Sequence, residues 1–165
     1  QLLDFINQEK EMLTTSLATA DDTPNIYLAG NSSLLSTAGP AMYQSGIIEL
    51  AGGKNVASDI SDTYWAEISY EQLLSWDPDY IILASDAEYT VDDVLSDPNL
   101  KDCTAVKNNH VYAIPGDIEA LDSPVPASIL ASIWLAGILH PDQVSTDTYT
   151  KEMNSFYETF YGIKK

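Results

Sequence analysis

One segment narrows what this 165-residue chain can fold into more than any other. It runs from Ile47 to Leu83 and reads IIELAGGKNVASDISDTYWAEISYEQLLSWDPDYIIL. An apolar helical run meets Gly52-Gly53, which stops it. Asn55 to Ala57 follows as a brief strand, then a polar loop from Ser58 to Trp65. Ser69 is placed to cap a helix, with Gln72 three residues on, the spacing of a capping box. Ile68 and Leu73 stand where a hydrophobic staple would close around that cap. Asp77-Pro78 ends the helix, because the residue before a proline disfavours helical geometry. Tyr80 to Ala84 is then a fully apolar strand. Helix, strand, helix, strand in this order predicts a parallel α/β unit. The segment holds no nucleophile–base pair, so it points to binding rather than to catalysis.

The rest of the chain continues the alternation. Leu2, Ile6, Leu13 and Leu17 recur at helical spacing, interrupted by Glu9-Lys10-Glu11. No capping residue precedes them, and the first residue is Gln1. The expectation is therefore a mature form or an excised piece that begins inside a helix. Ile26 to Ala29 reads as a buried strand and Gly30 to Gly39 as a polar loop. Pro40 is expected to open the next helix at its first position. Thr90 and Asp93 repeat the box spacing before a short helix that stops at Asp97-Pro98. His110 to Ile114 is the next strand. Ser123-Pro124 is expected to open a helix burying Ile129, Leu130, Ile133, Trp134 and Ile138, closed by His140-Pro141. A last helix carries Tyr149, Met153, Phe156, Tyr157 and Phe160 as core. The expected class is α/β, a Rossmann-like three-layer lobe with a mainly parallel sheet of four to five strands.

Charge excludes one class of partner. The formal net charge is -18, and all seven basic residues are lysines (Lys10, Lys54, Lys101, Lys107, Lys151, Lys164 and Lys165). A nucleic-acid surface needs clustered positive charge, so no nucleic-acid partner is expected. Without arginine, a planar bidentate clamp on an anion must come from outside this chain. Cys103, the single cysteine, forms no internal disulfide. No apolar run reaches the length of a membrane-spanning helix.

In parallel α/β sheets the loops leaving the carboxyl ends of the strands form the ligand face. Four loops qualify here: Gly30 to Gly39, Ser58 to Trp65, Ser85 to Tyr89 and Pro115 to Ser123. They bring together Asn31, Ser32, Ser36, Thr37, Tyr64, Trp65, Asp86, Glu88, Tyr89, Asp117, Glu119 and Asp122. Trp65, after Tyr64 in a polar loop, either offers contact area to a ligand or folds back as a lid. A dinucleotide fingerprint, a phosphate-binding Gly-Lys-Ser/Thr loop and a serine-nucleophile elbow are all missing from the sequence. His110 and His140 have structural explanations at a strand start and a helix end, and neither has metal-ligand spacing. Asp86, Glu88, Asp117, Glu119 and Asp122 read first as solvated loop charge, with an acid pair or a hard-cation site as the sharper alternative.

Five segments in order, ELAGGKNVA, WAEISYEQLLSWDPDYIIL, AVKNNHVYAIP, IWLAGILHPD and FYETFYG, resemble the C-terminal lobe of substrate-binding proteins of ABC importers. The resemblance is to the helical-backbone class that carries ferric siderophores, haem, cobalamin and some oxyanions, and it covers nearly the whole chain. It implies two lobes joined by a long helix. Residues 1–18 would be the end of that helix and 19–165 the C-terminal lobe, with the N-terminal lobe outside this chain. It implies solute capture without catalysis, with no cofactor and no metal ligated directly by this half. Delivery would be to the transmembrane permease subunits, from a periplasmic or lipid-anchored extracytoplasmic position. By the resemblance Trp65 meets ligand and Glu71 docks on a permease arginine. Tyr64, Asn31, Ser32, Ser36, Tyr89 and Asp122 complete the expected ligand set. A bulky metal chelate is the expected solute and a small oxyanion such as molybdate the alternative. An anion would need the other lobe, backbone N–H groups or Lys54. A flavodoxin-like enzyme working through Asp86, Glu88 or Asp122 is the alternative from another class.

Overall fold

The computed structural model describes residues 1–60 and 64–164. Residues 61–63, the middle of the expected Ser58–Trp65 loop, lie outside the described residues. In chain order the elements are α1 (Leu2–Leu17), β1 (Asn25–Ala29), β2 (Ser36–Ala38), α2 (Tyr43–Leu50), β3 (Lys54–Asn55), β4 (Trp65–Glu67), α3 (Tyr70–Trp76) and β5 (Tyr80–Leu83). Then come α4 (Val91–Leu95), α5 (Thr104–Lys107), β6 (Val111–Ala113), α6 (Ile129–Leu139) and α7 (Thr146–Tyr161), with 3-10 turns at Pro98–Leu100 and Pro126–Ser128.

Among the described residues the sheet has six strands in the order β4-β2-β1-β5-β6, with β3 also on β1. β1 pairs in parallel with β5 along its length, from Ile26 opposite Tyr80 to Ala29 opposite Leu83. Its other edge is shared. β3 takes the beginning, in parallel at Asn25 and Ile26, and β2 takes the end, antiparallel at Ala29 opposite Thr37. β4 extends this ribbon antiparallel to β2. β2 lies inside the expected Gly30–Gly39 loop, and β4 begins at Trp65, the last residue of the expected Ser58–Trp65 loop. Each is three residues long; β2 pairs with the end of β1 that β3 leaves open, and β4 pairs with β2.

Alternation along the strands sorts the core into two layers. Ile26, Leu28 and Ile82 face a cluster with Leu13 of α1, Ile48 of α2, α6 and Phe156 of α7. Tyr27, Ala29, Ile81 and Leu83 face Leu73 of α3, Val94 of α4 and Ala105 of α5. A three-layer α/β sandwich results. α6 is buried almost all round, with Leu130, Ala131, Ile133 and Ala136 inaccessible to solvent.

The capping signals explain several boundaries. The Ser69 side chain accepts from Gln72 N at 3.2 Å at the start of α3. Asp77 ends that helix in the left-handed region at φ 43°, and its carboxylate accepts from Thr104 N (2.7 Å) and Oγ1 (2.9 Å) at the start of α5. Thr90 and Asp93 form a reciprocal capping box on α4. Two expected helix starts are displaced. α2 begins at Tyr43, because Pro40 lies in a turn in which Met42 N donates to Gly39 O. α6 begins after the 3-10 turn rather than at Ser123-Pro124. Val125 precedes Pro126 and is held extended at φ -111° and ψ 157°, so a helix cannot run through it. Gly52 closes α2 at φ +82°, and a Cβ there would lie 2.6 Å from His140 Nε2. Both facts require glycine.

Candidate solute-binding face

Ala29, Leu83 and Ala113 end the central strands side by side. The loops leaving them build one face. Gly30 turns the chain out of β1, with its N–H donating to Ser36 O at 2.8 Å. A Cβ at Gly30 would meet Trp65 Cζ3 at 3.1 Å and Ser36 O at 3.2 Å. The indole therefore packs closely over the Gly30 backbone, and a side chain there would push the ring or the Ser36 backbone aside by a few tenths of an ångström. Gly30, Asn31, Ser32, Ser36 and Trp65 line a concavity of about 270 Å³. Trp65 begins β4 rather than lying in a loop and keeps 36% exposure, while Tyr64 before it is 68% exposed. Tyr64 is anchored through its carbonyl, which accepts from Gly39 N at 2.8 Å. Ala66 and Trp65 pair with Thr37 and Ala38 of β2, which sets the ring's position on the sheet edge.

A chain of hydrogen bonds runs from this concavity across the face. Asn31 Nδ2 donates to Asp86 Oδ1, and Asn31 O accepts from Glu88 N at 2.8 Å. Tyr89 donates its hydroxyl proton to Gly30 O at 2.6 Å, and burial raises its phenol above the ordinary value. Tyr89 thus braces the first loop from beneath. Asp122, 5% exposed, accepts from both Ser85 N (3.3 Å) and Ser85 Oγ. Its carbonyl accepts from Gln44 Nε2 at 3.3 Å, and the same nitrogen donates to the Tyr43 hydroxyl at 2.9 Å. Tyr43 is 38% exposed, and burial followed by the nearby Asp122 charge raises its phenol.

Tyr43 and Gln44 escaped the sequence reading. With α2 placed at Pro40 they fall at and beyond the end of its first turn, whereas the true start at Tyr43 makes them its first two residues, beside Asp122. Asp117 and Glu119 belong to another corner. Glu119 accepts from Tyr157 at 3.0 Å, and both acids line a small cleft with Tyr149 and Met153. Asp86 and Glu88 are exposed, as expected of loop charge. Glu71 is exposed in the first turn of α3. Hydrogen bonds from its own N–H and from Ser69 hold its carboxyl below the usual range.

Lys54 is far from this face. It pairs opposite Asn25, at the start of β1, and the face lies beyond Ala29, about 13 Å along the strand. It is no candidate partner for an anion held there. The histidines have structural roles. His110 stacks on Tyr80 with centroids 4.4 Å apart, and buried His140 lies 3.1 Å from Gly52 O through Nε2.

The chain is 29% identical over 143 residues to the molybdate-binding protein MolA of Haemophilus influenzae, covering 86% of this chain and 40% of that protein. A cobalamin-binding protein of Halobacterium salinarum is 28% identical over 110 residues, covering 63% of this chain and 29% of that protein. The crystal structure of a periplasmic solute-binding protein from Veillonella parvula superposes with a TM-score of 0.87 at 26% identity, over 99% of this chain and 51% of that one. MolA bound to molybdate superposes at 0.85 over 99% of this chain and 50% of its own. The chain thus spans between 29% and 51% of these relatives' lengths. Both structural neighbours are periplasmic binding proteins. The periplasmic binding protein family model matches residues 1–118, and the chain belongs to that family.

Proposed function

We propose that this chain is one lobe of an extracytoplasmic solute-binding protein that serves an ABC importer. Its face closes on a bulky metal chelate of the ferric siderophore, haem or cobalamin type against a second lobe of the same protein. α1 is then the end of the helix that joins the lobes. Trp65, Tyr64, Asn31, Ser32 and Ser36 touch the solute, Tyr89 and Asp122 hold the loops in place, and Glu71 docks on the permease. The observation that carries the reading is the Trp65 indole, packed over Gly30 at the rim of a 270 Å³ concavity. A large rigid ring at the mouth of an open concavity supplies contact area to a large apolar or aromatic solute at low entropic cost.

The test is a tryptophan-fluorescence titration of the full-length protein with cyanocobalamin, haem and ferric siderophores. One of these quenches the signal, and Trp65→Ala weakens that solute at least tenfold. An unchanged affinity in a folded Trp65→Ala variant would falsify the assignment. A second reading, capture of a small oxyanion, is favoured by the likeness to MolA. Ser32, Ser36 and backbone N–H groups are the donors this lobe would offer it.

A further inference from the structure

A groove of about 270 Å³ opens on the α1 side of the sheet, separate from the concavity beside Trp65. Tyr43, Gly46 and Leu50, at spacings of three and four, line it along α2. Ile6 and Lys10 line it from α1, and Val125 from just before α6. Tyr43 is 38% exposed, and Ile6, Leu50 and Val125 are half-buried. Gly46 is exposed, and a Cβ there would meet nothing within 4 Å. α2 thus turns an apolar stripe toward open space, the mark of a surface that something covers.

The groove is continuous with the solute face. Tyr43 lines it, and the Tyr43 hydroxyl accepts from Gln44 Nε2, which also reaches the Asp122 carbonyl. α1 runs from there toward the opposite end of the sheet. Leu17, its last residue, lies beside Gly52, which precedes β3 at the start of β1. Ile6 is about 16 Å back along the helix axis. Lys10 is exposed and belongs to none of the ion pairs among the described residues. A cation beside apolar surface fits an occupant that carries both an apolar side chain and a carboxylate.

A groove of this size takes only a few side chains, whereas a stable interface between separate molecules uses about 20–30 residues a side. An occupant arriving from solution is therefore disfavoured. A tethered one meets the groove at an effective concentration set by its tether. α1 is such a tether in the two-lobe reading, since it carries the chain from the groove into the second lobe.

We propose that the second lobe of the same protein seats an apolar side chain in this groove and pairs a carboxylate with Lys10. The contact holds the lobes together beside the solute face whether or not solute is bound. The proposal rests on the reading of this chain as one of two lobes.

The experiment is labelling of purified full-length protein with maleimide–polyethylene glycol, read by gel shift, without solute or permease. Gly46→Cys places a thiol in the groove, and Glu49→Cys places one at an exposed position of the same helix outside it. Cys103 is 0% exposed, and the parent protein sets the background. Position 46 reacts about tenfold more slowly than position 49 at every protein concentration, because the lobes must part before the reagent enters. Lys10→Glu raises the rate at position 46 about fivefold, the upper end for one surface pair, and Lys10→Arg leaves it unchanged. Ser128→Cys probes the same groove should Gly46→Cys fail to fold.

Equal rates at positions 46 and 49 overturn the proposal. Protection that fades on dilution marks a second copy and overturns it too. So does protection that needs added cyanocobalamin, haem or molybdate, which marks a solute. An unaltered rate in Lys10→Glu overturns it through the pairing. The Trp65 fluorescence titration on the Gly46→Cys variant keeps the two readings apart. Quenching by a solute with position 46 open removes the lobe contact and leaves solute binding standing. Protection at position 46 without quenching by any solute does the reverse.

Discussion

Glu9 is a carboxylate in the wrong place for neutral pH. It lies on α1 with 8% exposure, against Glu152 and Lys151 of α7. Burial raises its pKa from 4.5 to about 6, the Glu152 charge adds to the rise, and Lys151 opposes it. Lys151 is 3.0 Å from Glu152 Oε1, so its charge is shared. For an acid whose folded pKa is raised, the native state binds the proton more tightly than the unfolded chain. Stability from this group is full below the unfolded value near 4.5 and is lost as the pH rises through about 6. A displacement from 4.5 to about 6 corresponds to roughly 2 kcal/mol lost at pH 7.5, at about 1.4 kcal/mol per pH unit. Glu9→Gln keeps the shape and removes the charge. The variant is therefore more stable than the parent by about 1–2 kcal/mol at pH 7.5, and the advantage disappears by pH 4. At about 2–4 °C per kcal/mol for a chain of this size, the melting temperature rises by several degrees at the higher pH alone. Thermal unfolding followed by circular dichroism at the two pH values measures this. An equal difference at both, or a loss at pH 7.5, refutes the buried-charge argument.

Two further outcomes are expected. Gly52→Ala places a side chain at φ +82° with its Cβ 2.6 Å from His140 Nε2, so urea unfolding finds a loss of about 2–4 kcal/mol; parental stability removes the claim of strain. Glu71→Ala in the full-length protein leaves solute affinity within twofold and cuts uptake in whole cells several-fold. Parental uptake by that variant excludes docking through Glu71.

The parts legible in the sequence were those settled by local chemistry. Ser69, Thr90 and Asp77-Pro78 mark helix ends because their caps form within four residues, and the structure shows those bonds. Ile26–Ala29 and Tyr80–Leu83 are legible because a strand buried on both faces is apolar throughout. The helix starts went wrong where two signals compete. Pro40 and Pro124 both suit a first turn, yet Pro126 forces Val125 out of helical geometry, and Met42 rather than Gly39 caps α2. β2 and β4 carry no alternation to read, since STA and WAE are too short for one. They exist because β3 occupies only the first two residues of β1 and leaves the end of that edge unpaired.

That unpaired end has a functional consequence. Had β3 run the length of β1, the segment after Gly30 would have had no edge to join. Trp65 would then sit in the loop where the sequence placed it. Pairing with β2, at Ala38 opposite Trp65, fixes the indole over Gly30. At the other end of the face, the short α2 brings Tyr43 and Gln44 against Asp122. The two aromatic groups are thus positioned by backbone decisions invisible in local sequence, and the polar residues between them were legible from loop composition alone. Gln44 leaves a buried amide oxygen without a partner, and the Tyr43 phenol is raised first by burial and then by the nearby Asp122 charge.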